Sequence, residues 1–423
     1  MIELFTIITT LYTVLACSIF AVTGWSLYNL PILVAGVKAL RASKCELECK
    51  PTKKRNLPSI SIIVPVKDEE KVIGRLLNSL TATDYPSDKL EVIVVEDGST
   101  DDTLNICNEF AKEHSLNLKI LHKEFSNGKP SALNYGIKHA TGEIIGILDA
   151  DNLPARDILL NVSKYFEDRK VAAVQGRTLS INFEHNMLTR FISYEEAAWC
   201  EAYLRGKDVL KLFINLRGSC QFIRHDVLEA IGGFDERFLA EDMELSARMA
   251  NHRYQIRYAS NVRAWQECPS QLKQLLTQRT RWYRGWMEIA LRYGRLMAKP
   301  SRVSVDAEAT LLGPFIMIAS LASYIFAFLA FLVPVPLGSP LQFVMQSSAV
   351  TTTLLVVLCG LTLIWLSKPR RLRNLLWLPF VYGYWCLQAF IALYAALLIL
   401  LRRPKKWLKT SKTGFISNLK ADS

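Results

Sequence analysis

The chain has 423 residues, 50% of them hydrophobic, a formal net charge of +12 and nine cysteines. That length accommodates a well-buried soluble domain together with a membrane portion. The cysteines are scattered, and no second pair matches the spacing of Cys45 and Cys49; this argues against a paired-cysteine metal site and for reduced thiols on a cytoplasm-facing domain.

The placement of the positive charge argues against nucleic-acid binding. Lys38, Arg41, Lys44, Lys50, Lys53, Lys54 and Arg55 follow an uncharged run from Leu4 to Val37. Lys368, Arg370, Arg371 and Arg373 follow a second run, Thr310 to Leu366. Arg402, Arg403, Lys405, Lys406, Lys409 and Lys412 follow a third, Leu375 to Leu401. A span needs roughly 20 apolar residues, so the first run holds one long crossing and the second can hold two. Basic clusters at span ends mark the cytoplasmic side and attract membrane lipids. The first run is too long for a signal-peptide core, and no basic segment precedes it. One span, a cytoplasmic domain and three more spans would leave the basic tail outside. One C-terminal segment is therefore expected to lie in the interface, re-enter or split, and Leu375 to Leu401, with Pro379 and Gly383 near its start, is the candidate.

The order of elements predicts residues 1–37 as a transmembrane helix, 38–58 as a basic linker and 59–270 as a cytoplasmic domain. Ile60 to Val64, ended by Pro65, reads as a buried strand. A helix over Val72 to Leu80 follows, then a strand at Val92 to Val95 and a helix over Leu104 to Phe110. Leu118 to Leu121 and Ile144 to Leu148 are further strands, separated by a helix over Ala132 to His139. This alternation predicts an α/β domain with a mostly parallel sheet covered on both faces. Beyond Pro154 it weakens to a strand at Val171 to Val174, a helix over Met187 to Leu204 and a turn at Gly232-Gly233. Residues 271–300 are basic and amphipathic and carry Trp282 and Trp286, which suits a helix lying in the membrane interface. Residues 310–401 form the C-terminal membrane region and 402–423 a basic tail.

Polar motifs fall where strand patterns end, the place where open α/β sheets bind ligands. In Glu96-Asp97-Gly98-Ser99-Thr100, Gly98 permits a tight turn, Ser99 or Thr100 can cap the next helix, and a carboxylate can accept hydrogen bonds from a base or ribose. Asp149-Ala150-Asp151 places two carboxylates where burial demands a counter-charge, and a divalent cation such as Mg²⁺ or Mn²⁺ suits an all-oxygen site. Glu241-Asp242 opens the helix Met243 to Ala250, where a carboxylate serves either as a cap or as a base taking a proton from a hydroxyl. Gln278, Arg279 and Arg281 offer donors for phosphate oxygens, and Trp282 offers an indole face for a sugar ring. Gly128-Lys129-Pro130-Ser131 lacks the glycine spacing of a Walker loop but can aim Lys129 and helix-start amides at a phosphate.

Together Asp97, Asp149-Asp151, Glu241-Asp242 and Gln278-Arg281-Trp282 resemble the processive family-2 glycosyltransferases, among them cellulose, hyaluronan, chitin-oligosaccharide and poly-N-acetylglucosamine synthases. The resemblance covers roughly Ile60 to Trp286, with Gly232-Gly233-Phe234 and Glu267-Cys268-Pro269 as secondary matches. It implies a Rossmann-like GT-A domain with flanking transmembrane helices, a nucleotide-sugar donor, most often UDP-linked, and inverting transfer to a growing β-linked polysaccharide. A glycolipid acceptor taking one sugar is the alternative. By the same resemblance Asp97 binds the uridine end, and Asp149 and Asp151 hold the diphosphate through the metal, Asp151 as the more direct ligand. Asp242, beside Glu241, is the general base; Gln278 and Arg281 hold the diphosphate; Trp282 stacks on the acceptor. Trp407 to Thr410 is loosely similar to a gating loop. Leu216 to Cys220 sits where an acceptor site is lined, and Asn251-His252 replaces an expected glycine, with asparagine able to take a left-handed conformation.

Overall fold

An eight-stranded mixed sheet organises the middle of the chain in the computed structural model, which describes residues 2–43, 57–293, 300–332, 372–405, 410 and 412–417 and scattered positions between 343 and 362. The strands are β1 (Ile60–Val66), β2 (Leu90–Asp97), β3 (Leu118–Lys123), β4 (Ile144–Ile147), β5 (Leu153–Pro154), β6 (Val171–Ser180), β7 (Gln221–Arg224) and β8 (Gln255–Gln266). Their order is β3-β2-β1-β4-β7-β6-β8-β5, and only β7 and β5 run against the rest. The expected mostly parallel sheet is present.

Helices α1 (Ile2–Ser43), α2 (Ile73–Thr81), α3 (Thr103–Glu113), α4 (Lys129–Ile137) and α5 (Ile158–Tyr165) precede β6. After it come α6 (Met187–Ala198), α7 (Arg205–Val209), α8 (His225–Ile231), α9 (Glu241–Asn251) and α10 (Leu272–Tyr293). Finally come α11 (Arg302–Leu311), which alternates polar and apolar residues, and the largely apolar α12 (Gly313–Leu332) and α13 (Leu378–Leu400). Alternation along β1 explains the two covered faces. Ile60, Ile62 and Val64 pack with Ile73, Leu76 and Leu77 of α2, while Ile63 packs with Ala132 and Leu133 of α4 and Leu245 of α9.

Several local expectations are corrected. Pro65 lies inside β1, not at its end; pairing with β4 stops at Ile63, so the missing N–H faces an open edge there. The predicted helix from Met187 to Leu204 is α helical only to Ala198, and residues Trp199–Leu204 widen into a π turn. Gly232 and Gly233 do form the left-handed turn after α8, but at the end of α9 the left-handed residue is Arg253, φ 61°, not Asn251. The helix α1 runs to Ser43, so Lys38 and Arg41 belong to it and not to a linker. Seven described cysteines are unpaired, and Cys45 and Cys49 lie outside the described residues.

By length and composition, Tyr12–Ala42 and Asn374–Leu400 are each able to cross a membrane. Of the alternatives for the third hydrophobic run, a split is not seen: α13 is continuous, with Pro379 in its first turn, where its lost N–H costs nothing. The break falls earlier instead: α11 and α12 meet at a 50° bend. The helix α1 packs on α12 and on α7, where a Cβ at Gly36 or Gly206 would overlap the carbonyl oxygen of Ala202 or Ile32. That backbone contact ties the first candidate span to the sheet domain. A fully buried ion pair sits beside it: Lys207 lies 2.9 Å from Asp306, which also accepts from the Tyr28 hydroxyl at 2.8 Å and the Phe213 amide at 3.0 Å.

Candidate active site

The carboxylates expected at strand ends are there, and three of them are each held by a lysine. Asp97 ends β2, accepting from Lys123 at 2.7 Å and from the Ser126 hydroxyl at 2.6 Å. Gly98 takes a left-handed conformation, φ 71°, as the turn requires. Ser99 and Thr100 do not cap α3, as expected from sequence: the Ser99 hydroxyl accepts from the Asp68 amide, and Asp101 accepts from the Thr103 amide that opens the helix. The turn is thereby fastened to the loop after β1.

Past the end of β4, Asp149 lies 2.5 Å from the Lys129 ammonium, which also donates to the Gly218 carbonyl at 2.8 Å. Lys129 opens α4 behind Gly128, as the sequence suggested. Burial would lower the Lys129 ammonium, but Asp149, Glu241 and Asp242 hold it above the ordinary lysine range. Asp151 points elsewhere and is 3% exposed. It accepts from the Glu267 amide at 2.9 Å and from Lys412 at 2.6 Å, with Arg75 on its backbone carbonyl. Burial would raise its carboxyl; the Lys412 charge and hydrogen bond, the Glu267 amide and Arg75 prevail and hold it below the ordinary range.

Lys412 and Glu267 were not among the residues picked from sequence. Trp407 to Lys409 lie outside the described residues, but the chain just beyond them docks on the site. Glu267 accepts from the Thr413 amide at 2.8 Å and the Gly414 amide at 3.0 Å, and Ser417 donates its amide to Ile181. The sequence signals were Glu267-Cys268-Pro269 and the lysine two residues past the supposed gating loop.

Asp242 sits in the first turn of α9, whose cap is Ala240, so it is not the helix cap. Its side chain faces Gly218: a Cβ there would come 3.3 Å from Asp242 Oδ2 and 3.5 Å from Lys129 Nζ. Leu216 to Cys220 thus threads between base candidate and lysine, and left-handed Gly218, φ 75°, keeps the gap open. Desolvation first, then the neighbouring Glu241 charge, push the half-buried Asp242 carboxyl up to about 7, against Lys129 and Arg281.

Gln278, Arg281 and Trp282 share a face of α10 at helical spacing. Arg279 does not serve as a free phosphate donor: it is buried, lies 2.5 Å from Glu195 and stacks 4.5 Å over Trp282. Tyr384 of α13 donates to the same Glu195 at 2.8 Å. Trp286 also turns inward, toward Trp199, so α10 presents Leu272, Leu276 and Leu291 outward in place of its tryptophans.

Among the described residues no three His, Cys, Asp or Glu side chains converge on a metal position. Asp149 and Asp151 are held by Lys129 and Lys412 in turn and point apart, so a cation between them would take the place of an ammonium group and draw most of its ligands from a diphosphate and water, as Mg²⁺ commonly does.

A family model described as "Glycosyltransferase like family 2" matches residues 58–285, from just before β1 to the middle of α10. A probable glycosyltransferase, YdaM of Bacillus subtilis (strain 168), is 35% identical over 242 residues, covering 56% of this chain and 58% of the relative. A beta-monoglucosyldiacylglycerol synthase of Nostoc sp. is 34% identical over 248 residues, 58% of this chain and 52% of that protein. A poly-beta-1,6-N-acetyl-D-glucosamine synthase of Staphylococcus epidermidis is 28% identical over 239 residues, 56% and 57%. The chain thus spans little more than half the length of these relatives. The solved mannosyltransferase PcManGT from Pyrobaculum calidifontis, in complex with GDP-Man and Mn²⁺, shares the fold with a TM-score of 0.60 at 22% identity, over 92% of this chain and 100% of that one. With the family match covering more than half of the sequence and the GT-A sheet beneath it, the chain belongs to glycosyltransferase family 2 and is a glycosyltransferase.

Proposed function

We propose that the protein is a multi-pass membrane enzyme with its sheet domain on the cytoplasmic side, transferring a hexose with inversion from a nucleoside-diphosphate sugar, UDP-linked, to a growing β-linked polysaccharide. The observation that carries the reaction is the convergence of Asp242, Lys129 and Asp149 on the Gly218 turn. Asp242 takes the proton of the acceptor hydroxyl as that oxygen bonds to the anomeric carbon; the bond from that carbon to the diphosphate oxygen breaks, and the nucleoside diphosphate leaves with the electron pair. Lys129 holds charge beside the departing diphosphate, Gln278 and Arg281 grip its oxygens, and Asp97 takes the nucleoside end. Trp282 stacks on the acceptor sugar. Asp151 and Asp149 would hold Mg²⁺ or Mn²⁺, which would supply positive charge against the diphosphate; the Mn²⁺ named with the archaeal mannosyltransferase supports the use of a divalent cation.

The polysaccharide reading is supported by the resemblance of the motif series and by a tail that docks on Asp151 directly after the last membrane helix. A lipid acceptor receiving one sugar is the second reading, favoured by the 34% identity to a beta-monoglucosyldiacylglycerol synthase. Incubating the purified full chain with labelled UDP-sugars, Mn²⁺ and diacylglycerol vesicles tests both. Polymer of many residues is expected; a product that stops at one sugar on diacylglycerol would replace the first reading by the second, and no nucleotide release from any sugar would overturn both.

A further inference from the structure

Away from the site, α1, the Leu210–Leu212 turn after α7 and the start of α11 enclose a cleft of about 580 Å³. That volume is within the roughly 300–1,000 Å³ range of small-ligand clefts. Tyr28, Pro31, Ile32, Leu210, Leu212 and Val305 give it hydrocarbon walls, with Arg302 among the lining residues. Arg302 and Lys211 are exposed. The one carboxylate known to lie behind this wall, Asp306, is already neutralised by Lys207 and takes the Tyr28 hydroxyl. The lining therefore presents hydrocarbon and positive charge.

We infer that this cleft binds the acyl chain of an anionic phospholipid, with its phosphate against Arg302. Two features select a lipid. One wall belongs to α1, whose Tyr12–Ala42 stretch is apolar and long enough to cross a bilayer, and Tyr28 to Ile32 lie in the C-terminal half of that helix, next to Gly36 where it meets the sheet domain. Val209 and Leu210, on the sheet domain, are exposed beside the same helix, at 54% and 38%. Hydrocarbon next to a basic side chain, where a candidate span meets the folded domain, is the chemistry of an anionic lipid. The inference is independent of the identity of the acceptor.

The test uses the purified full chain in nanodiscs of equal phosphatidylglycerol and phosphatidylcholine, with lipids retained by the protein counted by native mass spectrometry. One phosphatidylglycerol per chain is expected, and Arg302→Gln should lower its preference over phosphatidylcholine about fivefold, the worth of one basic residue near anionic lipid. Val305→Trp should narrow the hydrocarbon floor of the cleft and lower retention of that lipid while leaving the circular dichroism spectrum unchanged. Equal retention of both lipids by the parent, retention unaltered in both variants, or a lipid-free dimer in which a second copy covers the cleft would each overturn the inference.

Discussion

The two sides of the site treat the same residue type in opposite ways. On the proposed donor side Asp97, Asp149 and Asp151 each have a lysine within 2.7 Å, and Asp151 is held below the ordinary range. Across Gly218, Asp242 has its own Met243 amide as a hydrogen-bond donor and feels Lys129 and Arg281 only through their charge. It is pushed up to about 7. Carboxylates locked by ammonium groups are suited to holding charge, and one left near neutrality is suited to exchanging a proton. The division of labour is thus a matter of which carboxylates the fold supplies with a cation.

The sharpest way to break that contrast is Asp242→Asn. It should lower kcat by about 10²–10⁴, the usual worth of a general base, with donor affinity by calorimetry unchanged. Near-normal turnover would remove Asp242 from the proton transfer. Next is pH. A base must be ionised to act, so kcat/KM should rise as pH climbs through about 7 and level off above it. Lys129 lowers the Asp242 carboxyl, so Lys129→Met should move that limb to higher pH besides weakening donor binding. A limb that stays in place would mean another group titrates.

Lys412→Met probes the opposite side of the comparison. A buried carboxylate deprived of its partner costs about 3–5 kcal/mol if it stays charged. Asp151 should therefore bind a proton more readily, and Mn²⁺ affinity, read by electron paramagnetic resonance, should fall at a higher pH in the variant than in the parent as the solution is acidified. The sign follows from the cause: Lys412 favours the ionised form, and its loss raises the folded-state value.

Much of this was legible in the residues. β1, β2 and β4 are short β-branched runs buried on both faces, so periodicity and length were enough to place them. Asp97, Asp149 and Asp242 were found because each lies at a sheet or helix end, a position that pattern marks. What could not be read was pairing over distance. Lys412 is 261 positions from Asp151, and Tyr384 is 189 from Glu195, so no local pattern links them. Arg279 was misjudged for the same reason: its charge was visible, its carboxylate partner 84 positions away was not. The π turn at Trp199 and the bend between α11 and α12 depend on packing around α1, which no window of sequence contains.

The smallest effects concern how Trp282 is held. The Arg279 guanidinium stacks over its ring, Glu195 fixes Arg279, and Tyr384 of α13 donates to Glu195. Trp282→Ala removes an aromatic platform worth about 0.5–1.5 kcal/mol beyond its area, so use of the acceptor should fall about tenfold while donor hydrolysis stays. Equal losses in both would make Trp282 a packing residue. Tyr384→Phe deletes one hydrogen bond at the far end of this chain of contacts. A net hydrogen bond is worth about 1 kcal/mol, so an acceptor KM raised by no more than about fivefold is expected, with kcat nearly unchanged. If Tyr384→Phe instead reproduced the full loss of Trp282→Ala, the membrane helix would be setting the position of the acceptor platform, and the contrast between the two sides would extend to how each is anchored: one by ammonium groups within the sheet domain and its tail, the other by α13.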